Sequence, residues 1–211
     1  MALIFDFDGT LANTLDLILD LYNEHITKQF SCKVFDKANI EEFRKRRPTS
    51  FLRDFGVTPL KLPFIIFRVR KLMNAHITEA QLFVGMKEVL ETLHDNHVKM
   101  GIVTSNSVEN VELFLQHHQL TSYFTFIRSS KRLLSKKRSL EKVMAKNGLK
   151  KEETIYIGDE IRDIRSSKAA KIRCAVVTWR HQHRSLLEQQ APYAILETPA
   201  DILKLFEEVD S

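Results

Sequence analysis

The sequence predicts an α/β protein, a doubly wound parallel-sheet core carrying an inserted all-helical cap domain. Three observations predict it. From Gly85 onward, segments of helical period alternate with short apolar strands across short connections, the signature of a parallel sheet covered by helices. A further apolar strand, LIFDF at 3–7, stands alone at the N-terminus and runs into Asp8-Gly9-Thr10. Between them, residues 14–82 show helical spacing and no convincing strand, so this stretch reads as an insertion.

The elements follow in order. Leu15, Ile18, Leu19, Tyr22 and Ile26 recur at helical spacing over 15–29. More helix, broken at Pro48, Gly56, Pro59 and Pro63, continues to Ala80. In the second part, 86–96 is a helix and VKMGIVT at 98–104 a buried strand. A helix at 108–118 and a short strand at 123–127 come next. The helix over 139–147 closes at Gly148, a residue suited to the left-handed position after a helix. Then come a strand at 154–157, a helix at 161–170, a strand at 173–178, a weak strand at 193–196 and a helix at 200–209. The expected organisation is a core domain from 1–13 and 85–211 and a helical domain from 14–84.

Composition narrows the function classes. With 14 Phe and 44% hydrophobic residues, the 211-residue chain has the apolar surface for a core and is not a disordered polymer. Cys32 and Cys174 are too few and too far apart for a disulfide scaffold; both read as buried thiols, and a reducing compartment fits. No apolar run approaches the roughly 18 residues of a membrane span. The opening MALIFDFDGT lacks a basic segment and is interrupted by Asp6 and Asp8, so it does not read as a signal peptide and a cytoplasmic location is expected. The net charge of +5 and pI near 9.2 are compatible with nucleic acid, a phosphorylated substrate or no charged partner.

In doubly wound sheets ligands bind at the carboxyl ends of the strands, and four polar signals fall there. Asp6 and Asp8 end the first strand. They are either solvated loop aspartates or a pair held by a cation, and Gly9-Thr10 adds a tight turn with N–H groups for an anion. Gly158-Asp159-Glu160 with Asp163 follows the strand TIYI. Carboxylates meeting Asp6 there would repel without a cation, and Mg²⁺ with its oxygen ligands suits them. Asp163 is one helical turn beyond Asp159, as an outer ligand, a supporting partner, or an exposed aspartate near Arg162 and Arg165. Thr104-Ser105-Asn106 joins a strand to a helix, where Ser and Asn suit a helix cap and the Thr hydroxyl and N–H groups suit an anion. Lys136 lies in a basic run with Lys131, Arg132, Lys137 and Arg138, which alone is uninformative.

Taken together and in this order, DFDGT at 6–10, TSN at 104–106, Lys136 and GDEIRD at 158–163 resemble the haloacid dehalogenase superfamily, with its Rossmann-type core, over essentially the whole chain. GIVTSNSVENV, YIGDEIRDI and AVVTW look especially like its phosphoglycolate phosphatase-type members. The resemblance implies that Asp6 is the nucleophile forming an aspartyl-phosphate and that Asp8 is the acid and then the base. It implies Mg²⁺ held by Asp6, the Asp8 backbone carbonyl and Asp159. Thr104, the Ser105 N–H and Lys136 would neutralise the transferring phosphoryl group, with Asn106 completing the substrate-binding loop. Because Asp8 is present, the resemblance implies a phosphotransferase and not a dehalogenase.

Two departures from the family pattern stand out. The third motif reads Lys136-Lys137-Arg138 in place of Lys-Pro, leaving Lys137 as the alternative lysine, and Trp179-Arg180 replaces Trp-Gly. The helical insertion would be a cap that excludes water and favours small substrates. Arg44-Lys45-Arg46-Arg47 and Arg53 are its candidate contacts to a second anionic group, or a solvated basic surface. His181 and His183 have metal-like spacing but read as loop polarity. Residues 14–84 hold 12 Lys plus Arg and 8 Asp plus Glu, so most of the positive charge lies in the insertion.

The expectation is a Mg²⁺-dependent phosphatase for a small phosphorylated metabolite, 2-phosphoglycolate being one candidate, with neither nucleic acid nor membrane as partner. A phosphomutase acting on a sugar phosphate and a non-catalytic basic binding protein are the alternatives. Oligomeric state is left open between monomer and homodimer.

Overall fold

The computed structural model describes residues 1–36, 53–130, 136–179 and 184–207. The chain divides into two compact units, Met1–Asn13 with Gln81–Ser211, and Thr14–Ala80.

The first unit is built on a six-stranded, all-parallel sheet. Its strands are β1 (Ala2–Phe5), β4 (Lys99–Thr104), β5 (Phe124–Ser129), β6 (Thr154–Gly158), β7 (Arg173–Val177) and β8 (Ala194–Leu196), in the spatial order β5-β4-β1-β6-β7-β8. β1 is ALIF, buried at every position, because a strand covered on both faces has no solvent side to make polar. It pairs with β4 from Ala2↔Lys99 and with β6 from Ala2↔Thr154, so Asp6 emerges between the ends of both neighbours. Gly101 in β4 leaves room for Phe126, since a Cβ there would lie 2.1 Å from the Phe126 ring.

Helices cover the sheet: α4 (Met86–Asp95), α5 (Val108–His117), α6 (Lys136–Asn147) and α7 (Ile161–Ala170). On one face, Ile4, Val103, Tyr156 and Val176 pack with Leu140, Val143 and Ile164. Short helices α8 (Arg184–Glu188) and α9 (Asp201–Glu207) complete the unit among the described residues.

Two local results differ from the sequence reading. Ala12–Asn13 (β2) and Gln81–Leu82 (β3) form a two-stranded antiparallel ribbon, with Ala12↔Leu82 and Asn13↔Gln81. Two-residue strands carry no period to read, and this ribbon puts Gln81, not Gly85, at the return to the core unit. Helix α6 begins at Lys136, which therefore lies in its first turn and not ahead of it.

The second unit, taken by itself, is helical. It contains α1 (Thr14–Leu21), a π-helical turn (Tyr22–Ile26), α2 (Thr27–Phe30) and α3 (Leu62–His76). Leu19 and Phe35 form a small core with Leu15, Tyr22 and Phe55. The Asn23 side chain ties down the backbone of Phe35 with two bonds of 2.7 Å. Arg53 is exposed. Arg44, Lys45, Arg46, Arg47, Arg180, His181 and His183, named above, lie outside the described residues.

Candidate active site

The strand ends deliver the polar residues to one place. The chain leaves β1 and turns sharply. Gly9 adopts a positive φ of 79°, and the Phe7 carbonyl accepts from the N–H groups of Leu11 and Ala12 at 3.0 Å each. Since β1 ends at Phe5, the two aspartates belong to this turn, not to the strand, and their side chains go to different partners. Asp6 is buried. Its Oδ1 accepts from the Phe7 N–H at 2.8 Å, and its Oδ2 accepts from Lys136 Nζ at 2.7 Å. Asp8 is half-buried and is held at both oxygens by Asn106 Nδ2, at 3.1 and 3.2 Å.

Lys136 is 1% exposed, a rare state for lysine, and it is reached because two carboxylates meet it. Its ammonium donates to Asp6 and, at 2.6 Å, to Asp163 Oδ1. It also stands 5.2 Å from the centre of the Tyr156 ring. Burial alone would lower the Lys136 pKa, but the carboxylates of Asp6 and Asp163 outweigh it and hold the amine charged well above the ordinary lysine range. Lys137, the alternative third-motif lysine, points to the surface and pairs with Glu141 at 3.6 Å.

Asp163 is fully buried, so the reading as an exposed helix aspartate is corrected; its burial comes from helix capping. Glu160 is the residue before α7, and its side chain accepts from the Asp163 backbone while Asp163 Oδ2 accepts from the Glu160 N–H at 3.0 Å. Both Asp163 oxygens are thus engaged. Burial and the neighbouring Asp6 charge push its carboxyl upward, against the pull of Lys136. Gly158 makes room for it, because a Cβ there would lie 2.5 Å from Asp163 Oδ2. Arg162 pairs with Glu160 at 3.0 Å.

Asp159 is buried beside them. One carboxylate oxygen each from Asp6, Asp159 and Asp163 lie within 4.8 Å of one another. Three carboxylates and one ammonium leave a formal charge of −2, and the donors are hard oxygens; this set fits a divalent cation such as Mg²⁺. The carboxylate of Asp8 is not part of the cluster.

Thr104 is fully buried at the end of β4, and its Oγ1 accepts from the Asn106 N–H at 3.1 Å. Ser105 is exposed at the tip of the loop. The cap of α5 is Ser107, which accepts from the Asn110 N–H at 3.1 Å, so neither Ser105 nor Asn106 caps that helix. The loop is tied to β5 by Ser129 Oγ, which donates to the Asn106 carbonyl at 2.7 Å, and by Ser130, whose N–H donates to the Thr104 carbonyl at 2.7 Å.

Tyr156 and Asn110 were not singled out by the sequence reading, and Glu160 was named in the acidic cluster without its capping role. Tyr156 sits in an apolar strand run and reads as core. Its hydroxyl nevertheless donates to the Val103 carbonyl at 2.9 Å, linking β6 to β4 beneath Lys136. Burial, with Asp6 and Asp163 nearby, keeps that phenol neutral. Glu160 and Asp163 do carry a signal, the spacing of a capping box. Trp179 packs against Phe83 with ring centres 6.0 Å apart.

The family model described as haloacid dehalogenase-like hydrolase matches residues 3–177. The chain is 32% identical to a phosphoglycolate phosphatase of Synechococcus elongatus over 203 residues, covering 96% of this chain and 95% of the relative. It is 30% identical to the pyrophosphatase PpaX of Halalkalibacterium halodurans, covering 96% and 94%. Among solved structures it is similar to a haloacid dehalogenase-like family protein of Streptococcus pneumoniae, with TM-score 0.80, 22% identity and 97% of each chain covered. CbbY of Rhodobacter sphaeroides in complex with phosphate matches with TM-score 0.71, 20% identity and 95% of each chain. The α/β fold, the order of motifs and the family match lead to one conclusion: the chain belongs to the haloacid dehalogenase-like hydrolases.

Proposed function

We propose that this protein is a Mg²⁺-dependent phosphatase that hydrolyses a small phosphomonoester through an aspartyl-phosphate on Asp6. The observation that carries the reading is the Asp6 carboxylate, fixed between the Phe7 N–H and Lys136 and clustered with Asp159 and Asp163. A rigid nucleophile beside a buried cation suits phosphoryl transfer, which depends on positioning and charge neutralisation.

In this reading an Asp6 oxygen forms a bond to phosphorus as the ester P–O bond breaks, and Asp8 gives its proton to the departing oxygen. Water then attacks phosphorus, its proton passes to Asp8, and the bond to Asp6 breaks to regenerate the carboxylate. Lys136 has three N–H donors, of which Asp6 and Asp163 take two. The third is assigned to a phosphoryl oxygen, with the Thr104 hydroxyl and the Ser105 N–H. Asp6 and Asp159, with the Asp8 carbonyl, would hold Mg²⁺, and Asp163 supports them by holding Lys136. The ion, when bound, supplies positive charge to the phosphoryl oxygens.

The substrate class is a small phosphorylated metabolite, and the 32% relative favours 2-phosphoglycolate. The pyrophosphatase relatives, at 25–30% identity, favour inorganic pyrophosphate as the second candidate. The helical unit is assigned the role of cap. A panel of 2-phosphoglycolate, pyrophosphate, sugar phosphates and p-nitrophenyl phosphate tests the reading. Phosphate release in Mg²⁺, abolished by EDTA and by Asp6→Asn in a folded protein, is expected. Turnover that survives Asp6→Asn would refute the nucleophile, and transfer of phosphate between sugar positions would identify a mutase.

A further inference from the structure

We propose that Asn110 is a positioning residue that acts through Asn106 to orient the Asp8 carboxylate; this rests on the phosphatase reading above. Asn106 spans both oxygens of Asp8 with its Nδ2 group, at 3.1 and 3.2 Å. A carboxamide has a donor end and an acceptor end of nearly the same shape, so something must decide which end faces Asp8. Two donors decide it. Asn106 Oδ1 accepts from the Ser107 backbone N–H at 2.8 Å and from Asn110 Nδ2 at 2.9 Å. With both aimed at the oxygen, the amino end is turned to Asp8.

The main chain of Asn106 is fixed by other groups, namely Thr104 Oγ1 and Ser129 Oγ. Those two anchors hold the loop through its main chain, whereas the bond from Asn110 Nδ2 reaches the Asn106 carboxamide. The cap of α5 is a backbone contact, in which Ser107 Oγ accepts from the Asn110 N–H at 3.1 Å. Asn110 is buried, one helical turn beyond Asn106, in a helix where a buried amide is unfavourable unless it is bonded. Its bond to Asn106 gives that amide a partner. Asp8 must present an oxygen to the departing group and then to water, so a carboxylate turned from the orientation that Asn106 gives it would slow both steps.

The test uses the full chain carrying Asn110→Leu, which keeps similar volume without a donor, or Asn110→Asp, which keeps the shape but turns the donor into an acceptor. Turnover is measured on p-nitrophenyl phosphate and on the alkyl phosphate hydrolysed most readily in the panel, with a rapid-mixing measurement of the first turnover of p-nitrophenolate. The kcat for the alkyl phosphate should fall by roughly 10- to 100-fold, with KM within about twofold of wild type. The first-turnover rate of p-nitrophenolate should be retained, because that group departs without needing a proton. A purely structural loss would depress both esters and the first turnover alike, and that result would overturn the proposal. So would wild-type alkyl turnover in both variants while Asp8→Asn is inactive. Wild-type protein with no phosphatase activity, or Asp8→Asn with full activity, would instead overturn the phosphatase reading and this proposal with it.

Discussion

Replacing Lys136 by Met tests the electrostatic account of the site. Met has similar length and no charge, so the packing beside Tyr156 is largely kept while the ammonium is removed. Asp6 and Asp163 then lose the partner that stands 2.7 and 2.6 Å from them. Removing one member of a buried pair leaves an uncompensated charge and costs about 3–5 kcal/mol. For a chain of this length each kcal/mol shifts the melting midpoint by about 2–4 °C, so a drop of roughly 6–20 °C is expected at pH 7.5 in EDTA. The surface control is Lys137→Met, whose half-exposed pair with Glu141 at 3.6 Å is worth at most about 1 kcal/mol.

The pH dependence supplies the sign. The Lys136 pKa is raised in the folded chain, so its contribution is complete below the unfolded value near ~10.4 and is lost only as pH rises through the folded one. Asp163 is raised as well, so the unfolded chain releases that proton first and stability falls as pH rises from about 4 toward the folded value. Without Lys136 that window extends upward, and the variant should recover stability between pH 7.5 and 5 more than wild type does. Thermal denaturation followed by circular dichroism reads both effects. A Lys136→Met midpoint within about 3 °C of wild type, with no steeper recovery in acid, would refute the buried-network argument.

Three other outcomes follow from the same structure. Gly158→Ala places a Cβ 2.5 Å from Asp163 Oδ2, so it should cost about 1–3 kcal/mol and displace Asp163 from Lys136, measured as a lower melting midpoint with loss of turnover. Gly101→Ala meets the Phe126 ring at 2.1 Å, away from the carboxylates, and should lower the midpoint while turnover of the folded fraction persists. The Cys174 thiol is buried and pushed up to about 12 by that burial, so iodoacetamide at pH 8 should label it only when the chain is unfolded, as mass spectrometry would show.

How much of this was legible in the sequence depends on whether an interaction is local. The core strands, though not their order in the sheet, were readable because β1, β4 and β6 are short, mostly apolar runs bounded by helical segments or turns. The carboxylates were readable because each follows such a run. Lys136 was not separable from Lys137 by pattern, since one residue of helix phase decides which of two identical side chains is buried, and only the position of Asp6 and Asp163 fixes that phase. Asp163 stood open between ligand, support and surface residue; its burial depends on the missing side chain at Gly158 and on a capping contact three residues back. Asn110 read as an ordinary helix residue, because its partner's own target, Asp8, is 102 positions away in the chain.

The charge arithmetic of the site gives a final prediction that does not depend on catalysis. Three buried carboxylates around one ammonium retain a formal −2, which the folded chain bears and the unfolded chain disperses in water. A divalent ion relieves that repulsion only in the folded state, so it must stabilise the fold by mass action. At an ion concentration ten times the dissociation constant the gain is about 1.4 kcal/mol, or roughly 3–6 °C in the melting midpoint. Asp159→Asn lowers the formal charge to −1 and removes one of the three oxygens that come within 4.8 Å, so the same Mg²⁺ titration should leave its midpoint nearly flat. Lys136→Met goes the other way, to −3, and the ion should restore more stability to that variant than it adds to wild type. The ranking Lys136→Met above wild type above Asp159→Asn follows from charge alone. A Mg²⁺ response equal in all three proteins would mean that the ion binds elsewhere, and the carboxylate cluster would then be only a structural ion-pair network.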